Sequence, residues 1–194
     1  MSKRARFALL LAAIAVAVVA LDQWTKYLAR VHLSANEVYR FLPGVLELQL
    51  HMNDGASLGM LGGNRALLVG VSLVASIAVA AVMFCYKKLS GGERIGLALI
   101  LGGAVGNLID RAASGLVTDM LYFPWIEKLP LLPSFVCNVA DIAITFGVAT
   151  LIIGFIVDDV RERRAKRAEI AGEPTENASE AADSEQSDGR NGDE

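Results

Sequence analysis

Cysteine and histidine are scarce in this 194-residue sequence, which contains two residues of each. Cys85 and Cys137 lie within apolar runs, form no Cys-x-x-Cys pair and have no histidine nearby. Structural zinc sites and disulfide frameworks need characteristic sets of thiols or imidazoles, so the sequence argues against both. We interpret the two cysteines as small apolar fillers and expect neither a metal nor another cofactor.

Long stretches of the chain also lack charge. Hydrophobic residues make up 54% of the sequence, the mean hydropathy is +0.44, and the charged residues are gathered at a few points. This distribution is typical of a membrane protein and gives no indication of a nucleic-acid partner. The formal net charge of −3 arises at the end of the chain, because nine acidic residues and one basic residue follow position 168.

Four apolar runs approach or reach the length needed to cross a bilayer, about 20 residues in a helix. They predict transmembrane helices at about 7–29, 66–86, 95–112 and 138–157. A secretory signal peptide is an alternative interpretation of the first run, which follows a basic start, although the sequence favours an uncleaved helix. The third run contains four glycines, which permit close approach of helix backbones in lipid, so we place it in the middle of the bundle.

Lysine and arginine are unevenly distributed between the predicted connections. The N-terminus, the 87–94 turn and the segment after Val157 are basic, whereas 112–137 contains only Lys128. Basic segments tend to stay in the cytoplasm, so both termini are expected there. The connections 30–65 and 112–137 are then expected at the outer face.

The first outer connection contains a strand signal. Residues 45–52 alternate apolar and polar side chains, as a half-buried strand does. The predicted fold is an all-α membrane protein, with four transmembrane helices in a domain spanning 1–160 and a small extracytoplasmic β-rich segment between helices 1 and 2. Residues 161–194 are basic and then acidic, with few large apolar side chains, and are expected to form a disordered cytoplasmic tail.

Polar side chains near membrane depth cluster at one level. Burying an ionisable group in a bilayer is costly, so such residues usually mark function or tight pairing. The predicted helix ends place seven of them at the outer face, and an eighth lies in the apolar segment Val-Thr-Asp-Met-Leu-Tyr-Phe of the second outer connection. The eight residues are Asp22, Lys26, Asn107, Asp110, Arg111, Asp119, Asn138 and Asp141.

The spacing Asn-x-x-Asp occurs twice in this set, at 107–110 and 138–141. Residues three apart share a helix face, so each helix offers an amide and a carboxylate to the same interior. Such pairs either join helices by hydrogen bonds or form a chemical site. Two carboxylates that share a site hold one proton near neutral pH, because their repulsion raises one pKa. One can then activate a water while the other acts as an acid, which is peptide hydrolysis without a covalent intermediate.

Five motifs occur in order along residues 7–158: Leu-Asp-Gln-Trp-Thr-Lys (21–26), Asn-Asp-Gly-Ala-Ser (53–57), Gly-Asn-Leu-Ile-Asp-Arg (106–111), Val-Thr-Asp (117–119) and Asn-Val-Ala-Asp (138–141). Together they resemble the lipoprotein signal peptidases, the bacterial signal peptidase II family. The resemblance implies an aspartic endopeptidase of the cytoplasmic membrane. Its substrates would be prolipoproteins, cut just before a diacylglyceryl-modified cysteine.

The resemblance also implies roles for individual residues. Asp119 and Asp141 match the catalytic pair of the family. Arg111 is expected to clamp substrate backbone carbonyls, because its planar guanidinium donates several hydrogen bonds. The other matching positions would line or support the site: Asn53, Asn107, Asp110, Asn138, Asp22 and Lys26. We further expect a monomer that contacts membrane lipid and has its active site at the outer face.

The sequence departs from the family pattern near these positions. Ser57 and Leu58 replace Ala and Phe, Met120 replaces Phe, and Cys137 stands where Phe is frequent. These differences leave every proposed acid, base and clamp in place. They are expected to alter the shape of the pocket wall.

A serine hydrolase is one rival interpretation, because residues 55–59 match the Gly-x-Ser-x-Gly nucleophile elbow. That mechanism needs a positioned histidine as base, and both histidines, His32 and His51, lie in the same outer connection. We interpret His51 as a solvated or strand-edge residue.

A small proton-linked transporter is the alternative function from another class, with Asp22, Asp110 and Asp141 as a relay. The polar residues crowd the outer face, so a relay across the bilayer would be incomplete. A non-catalytic assembly role is a third hypothesis.

Overall fold

The computed structural model describes residues 1–35, 37–55, 64–129 and 135–172, with side chains up to residue 167. The chain forms two compact units, Met1–Gly154 and Phe155–Glu194. The described residues form four helices: α1 (Lys3–His32), α2 (Arg65–Cys85), α3 (Gly91–Ser114) and α4 (Val139–Gly172). They also form four strands: β1 (Val38–Leu42), β2 (Leu46–Asn53), β3 (Val117–Tyr122) and β4 (Val136–Cys137).

Each predicted apolar run is helical, and each of these four helices is long and apolar enough to cross a membrane. Apolar side chains project from them without protein cover, among them Val16, Val74 and Phe146, which are each about two-thirds exposed. Surfaces of this kind suit a lipid solvent.

Helix α3 lies in the middle of the first unit, as its glycines predict. It packs against both α1 and α2. It also approaches α4 closely, because a Cβ on Gly103 would clash with the carbonyl oxygen of Ala140 and a Cβ on Gly96 would stand 2.9 Å from that of Gly147. The small residues therefore allow direct backbone packing between these two helices.

The strands form one antiparallel sheet in the order β1-β2-β3-β4. The predicted strand at 45–52 corresponds to β2. The β-rich segment expected between helices 1 and 2 is present as β1 and β2. The sheet also contains β3 and β4, which come from the connection between helices 3 and 4 and were not predicted. The first four residues of β3 are all buried, so both strand faces are covered and no alternating pattern marks them.

The second unit also differs from expectation. Helix α4 continues to Gly172, so the segment from residue 161 begins as helix and not as a disordered tail. Its exposed charges form pairs about one turn apart, with Asp159 2.8 Å from Arg163 and Glu162 3.1 Å from Lys166. Such pairs, together with good helix formers, stabilise an exposed helix. The acidic residues 173–194 lie outside the described residues, and their disorder stays a prediction.

Candidate active site

Asn138 caps the N-terminus of α4 and begins the site. Its side-chain Oδ1 accepts a hydrogen bond from the backbone N–H of Asp141 (2.9 Å), and its own backbone N–H donates to Oδ2 of Asp141 (3.2 Å). This reciprocal pair has the geometry of a capping box. The second Asn-x-x-Asp motif is therefore a helix start that fixes the Asp141 carboxylate.

Asp119 reaches the same point through the sheet. Strand β3 pairs with β4, which leads directly into Asn138, and Leu121 lies opposite Cys137. Asp119 is 2% exposed, and its two oxygens accept hydrogen bonds from Nδ2 of Asn138 (2.6 Å) and Nδ2 of Asn53 (3.0 Å). Asn138 thus contacts both proposed catalytic carboxylates.

Asn107 joins this group from α3. Its Nδ2 donates to Oδ1 of Asp141 (2.9 Å), and its Oδ1 accepts from Nδ2 of Asn138 (3.2 Å) and from Nζ of Lys26 (2.8 Å). A lysine ammonium can only donate, so it requires the oxygen of Asn107 on its own side. The amide nitrogen is therefore directed at Asp141.

Lys26 is fully buried and neutralises two carboxylates. Its Nζ lies 2.9 Å from Asp22 and 3.3 Å from Asp110. Asp22 accepts from the backbone N–H of Ala140 (2.9 Å), and Asp110 accepts from that of Thr118 (2.9 Å). Asp22 therefore fixes the backbone one residue before Asp141, and Asp110 fixes the backbone one residue before Asp119.

Three further residues belong to this network, and the sequence-based prediction of the site did not include them: Gln23, Arg30 and Thr118. Gln23 donates to Asp22 (3.1 Å) and Asp110 (3.3 Å), while Arg30 donates to the hydroxyl of Thr118 (2.9 Å). The spacing of Gln23, Lys26 and Arg30 along α1 places them near one face of the helix, and this periodicity was the available signal.

Arg111 is the exception among the predicted residues. Its side chain is half-buried, and within the described residues no hydrogen bond or ion pair involves its guanidinium. The structure brings the other eight residues into one connected network, while the described residues provide no partner for the donors of Arg111.

A cavity of about 450 Å³ opens beside Asp119. Its walls come from β2, β3 and the segment around β4, and are formed by Gln49, His51, Asn53, Asp119, Tyr122, Phe135 and Val136. His51 is exposed and lies directly opposite Asp119 in the β2–β3 register. The exposure of His51 agrees with its interpretation as a solvated residue, and β2 is an inner strand of the sheet.

The surroundings of Asp119 raise the pKa of its carboxyl group. Burial raises the pKa of Asp119 above its ordinary value, and the charge of Asp141 raises it further, while the hydrogen bonds from Asn53 and Asn138 and the charge of Lys26 lower it. The net effect is a raised pKa. Asp119 is therefore a suitable holder for a proton shared with Asp141.

Two neighbouring groups stay neutral. Burial, with smaller contributions from Asp141 and Asp119, raises the pKa of Cys137 to about 12. The hydrogen bond to Glu127 is the main reason that the pKa of Tyr122 rises to about 12. A protonated, buried Cys137 agrees with its interpretation as a filler.

Within the described part of the chain, no group of three or more His, Cys, Asp or Glu side chains is arranged to hold a metal.

Comparison with known proteins identifies relatives over most of the chain. The sequence model of the family described as signal peptidase (SPase) II matches residues 14–157. Lipoprotein signal peptidases of Brevibacillus brevis and Symbiobacterium thermophilum are each 37% identical to this chain, over 77% and 74% of its length and 97% and 92% of theirs. A solved structure described as a bacterial membrane enzyme superposes with a TM-score of 0.67 at 28% identity, covering 77% of this chain and 88% of that one.

These comparisons agree with the four-helix fold and give the transporter hypothesis no support. The motif of the serine hydrolase interpretation falls largely on residues 56–63, which lie outside the described residues. The chain belongs to the signal peptidase II family of bacterial multi-pass membrane proteins.

Proposed function

We propose that this protein is an aspartic endopeptidase that removes the signal peptide from diacylglyceryl-modified prolipoproteins, with Asp119 and Asp141 as its catalytic pair. The observation that carries the assignment of the pair is the double contact of Asn138, whose side-chain amide binds Asp119 and whose backbone N–H binds Asp141. One residue thereby holds two carboxylates that are distant in sequence, and one of them, Asp119, lines an open cavity.

Asp141 serves as the general base in this proposal. It accepts hydrogen bonds from Asn107 and from the backbone of Asn138 in the first turn of α4. A helix N-terminus favours negative charge, so this position stabilises a carboxylate. The carboxylate can accept a proton from a water molecule as the water attacks the scissile carbonyl carbon.

Asp119 serves as the general acid, since burial favours its protonated form. It donates its proton to the carbonyl oxygen as the tetrahedral intermediate forms. When the intermediate collapses, its C–N bond breaks, Asp141 donates its proton to the leaving amine, and Asp119 recovers a proton from a hydroxyl of the intermediate. No bond forms between enzyme and substrate. The mechanism needs one protonated and one ionised carboxylate, so the pH–rate profile is expected to be bell-shaped.

Arg111 is proposed to bind substrate backbone carbonyls, because its guanidinium has no partner among the described residues. Asn53, Asn107 and Asn138 orient the two carboxylates. Asp22, Lys26 and Asp110 hold the backbone on which the carboxylates stand. The lipidated precursor is proposed to enter from the bilayer, with its scissile bond lifted to the outer surface, where segment 30–65 restricts water.

The decisive test is a processing assay on a lipidated precursor with Asp119→Asn and Asp141→Asn. Each variant is expected to lose about 10²- to 10⁴-fold in cleavage rate, because general acid–base catalysis contributes about that much. Asp158→Asn, which changes an exposed carboxylate on α4, is the matched control and should cleave normally. Full activity in either site variant, with normal membrane insertion, would exclude the proposed pair.

Metal dependence provides a second test. No metal takes part in the proposed mechanism, so a chelator should leave the cleavage rate unchanged. Loss of activity with a chelator and recovery with one divalent cation would contradict it.

A further inference from the structure

A second large cavity, of about 580 Å³, lies between the beginning of α1, the end of α2 and the beginning of α3. We propose that it binds the headgroup and upper acyl region of one anionic glycerophospholipid. This lipid site is separate from the proposed active site and plays no part in the peptidase mechanism.

The rim of the lipid site is cationic. Arg4, Lys87 and Arg94 line it, and no acidic side chain does so among the described residues. Arg4 and Lys87 are exposed, and neither side chain forms a hydrogen bond or ion pair within the described part of the chain. Two of the three cations are therefore free to contact a phosphate.

The third cation is fixed in place. The guanidinium of Arg94 donates to the backbone carbonyl oxygens of Met83 and Tyr86 at the end of α2. These contacts satisfy carbonyl groups that a helix end otherwise leaves unpaired. They also position a permanent positive charge at the cavity without requiring a ligand to order it.

The floor of the lipid site is apolar. Phe7, Leu11 and Phe84 line it, and Leu11 belongs to the buried cluster that packs α1 against α3. A free phosphate ion has no part that matches this floor. A glycerophospholipid presents a negative headgroup next to hydrocarbon, so it complements both the rim and the floor, as basic pockets between transmembrane helices do for anionic lipids.

The position along α1 is also suitable. Eighteen residues separate Arg4 from Asp22, which at about 1.5 Å per residue is about 27 Å along the helix. The hydrocarbon core of a bilayer is about 30 Å thick. The lipid site and the buried Asp22–Lys26 pair therefore lie at opposite surfaces of the membrane, and a headgroup at Arg4 is at the level where phospholipid headgroups occur.

The test uses the purified full chain in neutral detergent micelles supplemented with phosphatidylglycerol or phosphatidylcholine, with bound lipid measured by native mass spectrometry. The wild-type protein is expected to retain phosphatidylglycerol in preference to phosphatidylcholine. The double variant Arg4→Gln/Lys87→Gln should lose this preference by about tenfold or more, since each basic residue near a lipid surface contributes substantially to anionic lipid binding.

The matched control is Arg6→Gln/Lys88→Gln, which removes the same charge from neighbouring exposed residues that do not line the cavity. It should keep the wild-type preference. Equal losses in both double variants would show general surface attraction, and no loss in Arg4→Gln/Lys87→Gln would show that the cavity does not select the lipid. Either result overturns the proposal.

A further arm separates a lipid from a free anion. Inorganic phosphate at millimolar concentration should neither displace phosphatidylglycerol nor raise the thermal unfolding temperature. If phosphate alone raised the thermal unfolding temperature as much as phosphatidylglycerol does, the cavity would be an oxyanion site and the lipid assignment would be wrong.

Discussion

Lys26 is a fully buried lysine whose charge needs partners inside the protein. Its ammonium is fully buried and lies between the carboxylates of Asp22 and Asp110, while it also orients the amide of Asn107. A buried charge is tolerated only when its partners are present, and removal of one partner leaves the others uncompensated. The stability of the protein and the orientation of Asn107 toward the proposed base Asp141 therefore depend on the same side chain.

Lys26→Met is expected to lower the free energy of unfolding by about 3–5 kcal/mol, because it leaves the buried Asp22 without a cation and Asp110 with only the partly exposed Arg30. Lys26→Met/Asp22→Asn should recover part of this loss but not the cleavage rate, since Asn107 is no longer oriented. Thermal unfolding in detergent and the processing assay measure the two effects.

Arg30→Met provides the comparison for Lys26→Met. The Arg30 side chain is 40% exposed and its pair with Asp110 spans 3.6 Å, so its loss should cost about 1 kcal/mol or less. Equal destabilisation by the two substitutions would contradict the central role of Lys26.

Asn53→Ala tests the proton on Asp119. The Asn53 hydrogen bond lowers the pKa of Asp119, so its removal should raise that pKa. Because the active form keeps Asp119 protonated in our proposal, the alkaline limb of the pH–rate profile should move to higher pH.

Gln49→Ala is the control for Asn53→Ala, because Gln49 lines the same cavity without a hydrogen bond to Asp119. It should leave the alkaline limb in place. A shift of this limb to lower pH in Asn53→Ala would contradict the assignment of Asp119 as the acid.

At the scale of elements, the contact between α3 and α4 determines where Asp141 stands. The closest backbone approach is at Gly103, beside the carbonyl of Ala140, one residue before Asp141. An added methyl group has no free space at this point, and well-packed regions respond to overpacking by shifting.

Gly103→Ala is therefore expected to destabilise the protein by about 1–3 kcal/mol and to reduce cleavage by about tenfold or more, because small displacements of catalytic groups are costly. Gly70→Ala in α2 is the control, since a Cβ there would meet no atom within 4 Å. It should preserve activity and stability. Normal activity in Gly103→Ala would show that α4 does not need this close approach.

The helices and the sheet differ in how far they could be predicted from sequence. Apolar length alone locates all four helices, because lipid requires continuous apolar segments. Strand β2 follows from alternation, but β3 pairs with it across a long stretch of sequence and is buried at Val117, Thr118, Asp119 and Met120. The pattern of neighbouring residues in the sequence cannot predict a pairing between strands so far apart in the chain.

The site residues likewise include some that could be predicted from sequence and some contacts that only the fold reveals. Asp119 and Asp141 were predicted from the family motifs, and their shared contact with Asn138 emerges only from the β3–β4 pairing. Gln23 and Thr118 lie within the quoted motifs, but they are uncharged, and the motifs alone assign them no partner. Their role depends on which carboxylates the fold brings to them.

At the scale of the whole molecule, the hydrogen-bonded site draws on α1, β2, α3, β3 and α4, from Asp22 to Asp141. The family match also ends at residue 157. The acidic end of the chain is therefore expected to be dispensable for cleavage.

Deletion of residues 173–194 should leave the processing rate unchanged, because every contact that positions Asp119 and Asp141 among the described residues lies well before the deletion. The measurement is the same precursor assay, with membrane insertion checked by fractionation. A large loss of activity in the inserted, truncated protein would assign a function to the acidic segment.

Asn138 links the first turn of α4 to both carboxylates, and helix ends fray more readily than helix interiors. Unwinding of that single turn would release both aspartates together while the rest of the bundle stayed folded. Heating should therefore abolish cleavage at a temperature below that of global unfolding. Loss of activity would then report local unwinding of this turn and not unfolding of the whole protein.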